Sequence, residues 1–358
     1  MNDLMHPAGR TRTWRRRTSA ALMVGVALGS SAACGSDAVT PASAETATTT
    51  PAPPPPPPAT WPLTGRESGS EADHPALAVK IENSVDARPQ TGLGAADMVW
   101  EEVVEGGITR YVAVYHSALP PEIGPVRSVR PMDPAIAAPL GGLLAFSGGQ
   151  KPFVAAVADA GLQVVSNDAG SPGFYRSKSR SAPHNVYADP KTLLAQADAK
   201  HQAAPAEQWS FAGPGEQPTA ATAGTPAAAV DVTLSGSSHP RWTWSAPDGA
   251  WLRAEGSKPA VEADGKQLRA TNVVVLQVAV VNTRYKDPAG NPVPETEMVG
   301  TGKALVATGG RTVAATWTKS SPSAPVVLTG ADRMAVQLGA GNTWVELMPA
   351  GAGSVTTG

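Results

Sequence analysis

Apolar and polar positions first fall into regular order near residue 76. The segment ALAVKIEN (76–83) is short, partly β-branched and ends in polar residues, and reads as a strand. DMVWEEVVEGGITRYVAVYHS (97–117) has β-branched and aromatic residues on both sides of Gly106-Gly107, which predicts a hairpin with a two-residue turn. In that register Glu105 opposes Ile108 and Val103 opposes Arg110. One face then carries Glu101, Val103, Glu105, Ile108, Arg110 and Val112, with Arg110 diagonal to Glu101. A helix over 95–105 is the alternative. Downstream, DPAIAAPLGG predicts a short helix, LLAFSGG a strand, KPFVAAVADAG a helix stopped by Gly161, and LQVVSND a strand. DPKTLLAQADAKH (189–201) predicts a helix with Asp189 as N-cap and Pro190 in the first turn. Alternating helices and strands point to an α/β region.

Residues 203–229 are rich in Ala, Pro, Gly and Thr and read as a loop or linker. Beyond them the pattern is nearly all β. RWTWS and WLRAE flank the turn APDG, NVVVLQVAVVN (272–282) predicts a buried strand, KALVATGGRTVAATWTK a hairpin about Gly309-Gly310, and NTWVELMP (342–349) a last strand. The expected fold is mixed α/β, α+β-like. It has a layered sheet-and-helix N-terminal part (61–205), a linker or crossing loop (206–229), a β-rich C-terminal part (230–350) and a tail (351–358).

The N-terminus follows a different pattern. A basic region ending at Arg17, an apolar stretch from Ala20 to Leu28 and the small residues Ser31-Ala32-Ala33 predict a secretory signal peptide over 1–33. The apolar stretch is too short for a stable membrane span. Cys34, the sole cysteine, falls at the cleavage point before Gly35, in a setting that resembles the bacterial lipobox. The resemblance implies that its thiol carries a diacylglycerol; the departure is Ser31, where an aliphatic residue is usual. Residues 34–60 then read as a disordered tether in which Pro53–Pro58 favour polyproline II.

Charge narrows the function classes. The 358 residues carry 28 basic and 30 acidic side chains. Residues 1–33 hold five arginines and one aspartate, so the remainder has 23 basic and 29 acidic residues, a net of −6. Such a chain has no general attraction for nucleic acid, and any anion binding must be local. Catalytic signatures are missing. GTGK (300–303) lacks the spacing and the Ser/Thr of a phosphate loop, GLGAAD lacks the third glycine of a dinucleotide turn, and neither HExxH nor GxSxG occurs. With one cysteine and no His cluster, neither a metal nor another cofactor is expected.

Several segments taken in order resemble the YerB-like lipoprotein family of bacteria. They are HPALAVKIENSVDARPQTGLGAADMVWEEVVEGGITRYVAVYHS, EIGPVRSVRP, YRSKSRSAPHNVY, VNTRYKDPAGN and GNTWVELMP, and the resemblance covers nearly all of 61–349. It implies an exported, lipid-anchored protein with a mixed fold and a β-rich C-terminal part. It implies no activity, because the family is known as a domain of unknown function.

The remaining chemistry is a set of cations and amides in turn-rich segments. Arg88, Arg110, Arg127, Arg130, Arg176, Arg180, His184 and Asn185 are the candidate ligand-binding residues, with Asn83, Glu101 and Glu105 in support. Guanidinium groups in one cleft would hold carboxylate or phosphate in bidentate fashion. Equally, Arg110 could pair with Glu101 or Glu105 across the hairpin, and Arg127 could brace a loop held open by Pro125 and Pro131. The expected function is a non-catalytic envelope protein on the outer face of the membrane, holding an anionic ligand such as peptidoglycan carboxylates or an acidic partner protein. The alternatives are a hydrolase or transferase acting on cell-wall glycan, with His184 as base and Glu102 or Glu105 as acid, and a scaffold for wall-synthesis machinery.

Overall fold

The structure is a computed structural model that describes residues 59–69 and 72–358. The predicted signal peptide, Cys34 and nearly all of the predicted tether lie outside the described residues. The first half of the chain forms β1 (Leu77–Glu82), β2 (Met98–Val103), β3 (Thr109–Tyr115), α1 (Asp133–Ala137), β4 (Leu143–Phe146), α2 (Lys151–Asp159), β5 (Gln163–Ser166), β6 (Phe174–Arg176), β7 (Val186–Ala188) and α3 (Pro190–Leu194). The second half forms α4 (Thr219–Ala223), β8 (Thr225–Pro226), β9 (Ala229–Thr233), β10 (Pro240–Ser245), β11 (Ala250–Glu255), β12 (Lys258–Pro259), β13 (Arg269–Ala270) and β14 (Asn272–Val278). It continues with β15 (Val280–Lys286), β16 (Pro292–Thr296), β17 (Gly300–Thr308), β18 (Arg311–Lys319), β19 (Val327–Thr329), β20 (Thr343–Pro349) and β21 (Ser354–Thr357).

One long sheet runs β19-β18-β17-β14-β20-β2-β3-β1-β4-β5, with β8 beside β18. Its centre joins the two halves of the sequence. β2 pairs in parallel with β20, placing Met98 opposite Thr343 and Glu101 opposite Glu346. A second sheet, β12-β11-β10-β9-β21 with β13 beside β11, supplies one covering layer. Val99, Tyr111, Ala113 and Trp344 of the long sheet pack on that side with Val230, Trp242 and Trp251. The opposite side buries Trp100, Val112, Leu144 and Leu347 with Ile136 of α1, Phe153 and Val157 of α2, and Trp209. Burying each of the larger apolar side chains stabilises by roughly 1.5–3 kcal/mol. With both sides covered, β1, β2 and β3 are buried at every position. Alternation along them therefore selects a layer and does not separate inside from outside.

The fold is more sheet-rich than the sequence predicts, with 40% of the described residues in strands and 12% in helices. The helix predicted over 189–201 is confined to Pro190–Leu194, where the Asp189 side chain accepts from the Lys191 N–H as predicted for the N-cap. The strand predicted over 272–282 divides at Ala279, after which β15 pairs with β16 as a separate hairpin. Gly309-Gly310 makes the expected two-residue turn, with Thr308 opposite Arg311 and both glycines at positive φ.

The hairpin of β2 and β3 differs from the prediction by one residue. Val104 N–H donates to the Ile108 carbonyl (2.8 Å), and Gly106 and Gly107 have φ of 70° and 74°. The turn therefore spans Glu105–Gly107, three residues instead of two, and Glu102, not Val103, opposes Arg110. Because side chains alternate with period two, the shift puts Glu101 and Arg110 on opposite sides of the sheet.

Candidate functional site

The site begins where two parallel strands part. β1 and β4 pair in parallel from Leu77 opposite Leu143 to Val79 opposite Ala145. The segment Gly124–Val129 then enters between them. Arg127 N–H donates to the Lys80 carbonyl (2.9 Å), Ser147 N–H to the Arg127 carbonyl (2.9 Å) and Val129 N–H to the Gly148 carbonyl (2.9 Å). On the other side Glu82 N–H donates to the Pro125 carbonyl (3.0 Å). The wedge lies at the carboxyl ends of β1 and β4, where open α/β sheets form crevices.

Ionic side chains gather at this end on the α1 side of the sheet. Lys80, fully buried, pairs with Glu102 and with Asp133 (2.7 Å). Burial, and next the Asp133 charge, push the Glu102 carboxyl up to about 8. Asp133 also accepts from the Arg130 N–H (2.6 Å), which fixes the turn into α1. Arg130 donates from Nη2 to Glu105 (2.9 Å) and from Nη1 to the Val129 carbonyl (2.9 Å), while its Nε lies 2.7 Å from the other Glu105 oxygen without an aligned hydrogen bond. Arg127 Nε lies 3.4 Å from Glu82, whose other oxygen pairs with His184 Nδ1 at 3.0 Å.

Arg110 is the least satisfied of these groups. It is 4% exposed, donates from Nη1 to the Ser128 carbonyl (2.8 Å), has no ion-pair partner among the described residues where Arg127 and Arg130 each have one, and its buried Nε, like theirs, has no hydrogen-bond partner among the described residues. Burial lowers its pKa to about 10, and the nearby charges of Arg130 and Arg127 act in the same direction. Three guanidinium groups therefore share one region. The hydroxyls of Ser128 and Ser147, 3.5 Å apart, face each other across the wedge.

Over this region lies a strap, residues 177–185, between β6 and β7. Four polar contacts hold it. Arg127 Nη1 donates to the Pro183 carbonyl (3.2 Å), His184 meets Glu82, and Arg180 donates to the carbonyls of Asp86 (3.1 Å) and Pro89. None of its side chains is buried. Arg176 and Asn185 bond to each other at its base (2.8 Å).

The other predicted residues belong to a second cluster on the opposite side of the sheet. Arg253, fully buried, pairs with Glu101 (2.6 Å), Glu346 (2.7 Å) and Glu255 (2.9 Å), and its guanidinium lies 4.9–5.6 Å from the ring centres of Trp344, Trp242 and Tyr111. Burial opposes its charge, but Glu101, Tyr111, Glu255 and Glu346 outweigh that and hold its pKa above the ordinary arginine value. Arg88 meets Glu255 (3.3 Å) and Asn83, and Asn83 in turn donates to Glu101 (3.1 Å). Thus Arg110, Arg127, Arg130, Glu105 and His184 come together, Arg176, Arg180 and Asn185 belong to the strap, and Arg88, Asn83 and Glu101 lie with Arg253.

Sequence reasoning missed Lys80, Glu82, Asp133, Arg253 and Glu346. The available signals were a lone lysine inside the apolar run ALAVKIE and an arginine inside WLRAE. For acid–base chemistry the arrangement offers little. His184 is paired with Glu82 and not with Glu102 or Glu105, and Ser84 donates its hydroxyl to Glu82 (2.9 Å) instead of to the imidazole. Among the described residues no group of three or more His, Cys, Asp or Glu side chains is placed to hold a metal ion, and no helix is long and apolar enough to cross a membrane.

Comparison with known proteins agrees with this architecture. Residues 63–203 match the N-terminal domain, and residues 230–345 the C-terminal domain, of a protein family of unknown function, DUF3048. A curated relative, "Putative lipoprotein YerB" of Bacillus subtilis (strain 168), is 33% identical over 129 residues, 35% of this chain and 39% of its own length. The match thus spans well under two thirds of that relative. The crystal structure of the YerB protein from Bacillus subtilis superposes with a TM-score of 0.70 at 20% identity, covering 83% of this chain and 99% of that one, which establishes a shared fold. Both domains in their order, the relative and the common fold show that the chain belongs to the YerB-like family, DUF3048.

Proposed function

We propose that this protein is an exported, lipid-anchored component of the bacterial cell envelope that holds an anionic ligand at the wedge between β1 and β4 and has no catalytic role of its own. The signal-like N-terminus with Cys34 and the lipoprotein name of the relative support the anchoring. Support for the ligand comes chiefly from one observation: Arg110 is buried beside Arg127 and Arg130 with its Nε unpaired. A buried donor left unpaired costs about 1–3 kcal/mol, which an oxyanion at this place would recover. Peptidoglycan peptide carboxylates and an acidic segment of an envelope protein are candidate ligands, and no nucleic acid is expected.

Titration calorimetry on the full chain in detergent tests this. Purified muropeptides and an Asp/Glu-rich peptide are the probes, with Arg127→Ala as the variant because Arg127 is partly exposed and its loss leaves the core intact. Binding of one probe, weakened at least about tenfold in the variant, is the expected result for a charge-assisted contact. Absence of binding to either, or equal binding by the variant, rejects the site. For the anchor, Cys34→Ala should move the protein from the membrane fraction to the soluble fraction; membrane retention of that variant rejects lipid attachment.

A further inference from the structure

We infer that the protein has a second binding site, apart from the wedge, that takes a single carboxylate on a short apolar body. The site is a cavity of about 330 Å³ between residues 85–90 and the segment that begins with β12. It opens beside the Arg253 cluster, on the other side of the long sheet from Arg110. Val85, Val261 and Leu268 are among its apolar walls, and Arg88, Lys258, Glu255 and Tyr111 bring polar groups to it. At about 30 Å³ for each water-sized group it holds roughly ten non-hydrogen atoms, the small end of the range for ligand cavities. Val85 is 78% exposed and Val261 38%, so a ligand that covers them gains apolar contact that the folded chain alone leaves open. An added strand is not the occupant: β12 is two residues long, and Pro259 has no N–H to offer a neighbour.

The polar groups that the cavity leaves open are donors. Arg88 donates from Nε to Asn83 Oδ1 (2.9 Å) and from Nη2 to the Asn83 carbonyl (3.0 Å), and Nη2 lies 3.3 Å from Glu255. Its Nη1 has no hydrogen-bond acceptor among the described residues. Lys258 is exposed and has no ion-pair partner among them. Tyr111 is 1% exposed, and its hydroxyl has only a long contact, 3.4 Å, with Glu255. Glu255 is the one carboxylate in the lining, and its charge is already met: Arg253 donates to it at 2.9 Å. Burial acts against that charge, but Arg253 and Arg88 outweigh it and hold the carboxyl below its ordinary pKa. The acids next in sequence to the lining segments do not line the cavity. Glu262 turns its carboxylate against Gly94, and Asp264 pairs with Lys266 (2.7 Å). Asp86 is exposed, and Arg180 rests on its carbonyl and on that of Pro89. A ligand for this lining therefore needs acceptors and not donors. Two cationic donors, Arg88 Nη1 and Lys258 Nζ, match the two oxygens of one carboxylate, whereas a phosphate would leave oxygen atoms unpaired.

Titration calorimetry on the full chain in detergent, with the detergent solution as blank, tests this. The probes are octanoate, octylammonium and octanol, together with N-acetyl-leucyl-leucine as its free acid and as its amide. Octanoate should bind at least about tenfold more tightly than the amine or the alcohol. Arg88→Gln should remove that preference. The pair Val85→Ser/Val261→Ser should weaken octanoate at least about fivefold, and Arg127→Ala should leave it unchanged. Arg88 also braces Asn83 and Glu255, so if Arg88→Gln fails to fold, the pair, with both side chains at the surface, decides the matter. Tighter binding of the dipeptide acid than of octanoate makes the apolar C-terminus of a peptide the source of the carboxylate, and the reverse order makes it a free alkanoic acid; either sustains the site. The inference is overturned if neither acid binds, if the amine or the alcohol binds as tightly as octanoate, or if the pair binds octanoate like the wild type. Loss of octanoate binding in Arg127→Ala alone would place the acid at the wedge, which removes the second site and leaves the anion-site reading standing.

Discussion

A fully buried lysine between two carboxylates is costly unless the local charges balance. Lys80 meets Glu102 and Asp133, and Glu102, pushed up to about 8 by burial and then by Asp133, resolves the excess negative charge by keeping its proton near neutral pH. The pH dependence follows from the direction of that shift. In the unfolded chain this carboxyl loses its proton near 4.5, and in the folded protein near 8. Between those values the folded state holds one proton more, so stability falls as pH rises, by up to about 1.4 kcal/mol per unit, and levels off outside the window. Glu102→Gln should remove this contribution. In urea unfolding from pH 5 to pH 8 the wild type should lose stability relative to the variant; parallel curves would show that Glu102 is ionised throughout. Lys80→Met, which leaves Asp133 buried without its cation, should cost about 3–5 kcal/mol. Lys80 was visible in the sequence as a charge inside an apolar run. Its partners were not, because they lie 22 and 53 residues away and only the folded sheet and the turn into α1 bring them near.

At the scale of elements, the strap of residues 177–185 and the β2–β3 hairpin differ in what holds them. The hairpin is buried on both sides, whereas the strap rests on hydrogen bonds from Arg127, Arg180 and His184 and has no buried side chain of its own. Segments of this kind open locally without global unfolding. Arg180→Ala/His184→Ala should therefore speed tryptic cleavage after Lys178 severalfold while shifting the global unfolding free energy by no more than about 0.5 kcal/mol. A loss of global stability of several kcal/mol would mean that the strap is part of the core. The strap was legible as a basic, turn-rich segment before Pro183-His184-Asn185, but its docking on the 82–89 region was not. The hairpin was legible in kind and misread in register. Gly106-Gly107 fits a two-residue turn as well as a three-residue one, and the choice decides which side of the sheet receives Arg110. That ambiguity put Glu101 and Arg110 on one side, where the sheet separates them into two clusters.

For the whole molecule, the question is whether the two sequence halves unfold together. The linker-like composition of 203–229 left open whether it separates two domains or crosses one, and the long sheet crosses between the halves at β2 and β20. The Arg253 cluster crosses too. Glu101 and Tyr111 come from the first half, and Trp242, Arg253, Glu255, Trp344 and Glu346 from the second. Separating the halves would strip the pairing from one edge of each and uncover Val99, Trp100 and Trp344, all nearly or fully buried. Unpaired strand edges flanked by exposed aromatic side chains promote aggregation more than independent folding. Residues 59–358 should therefore melt in one calorimetric transition with matching calorimetric and van't Hoff enthalpies, and 59–229 or 230–358 expressed alone should show no cooperative transition. Arg253→Met should cost about 3–5 kcal/mol, because Glu101 and Glu255 lose their buried cation. It should lower the midpoint of that one transition without splitting it. Two resolved transitions in the wild type, or a half that folds by itself, would mean that the β2–β20 seam is a docking contact between independent domains and not the centre of a single sheet.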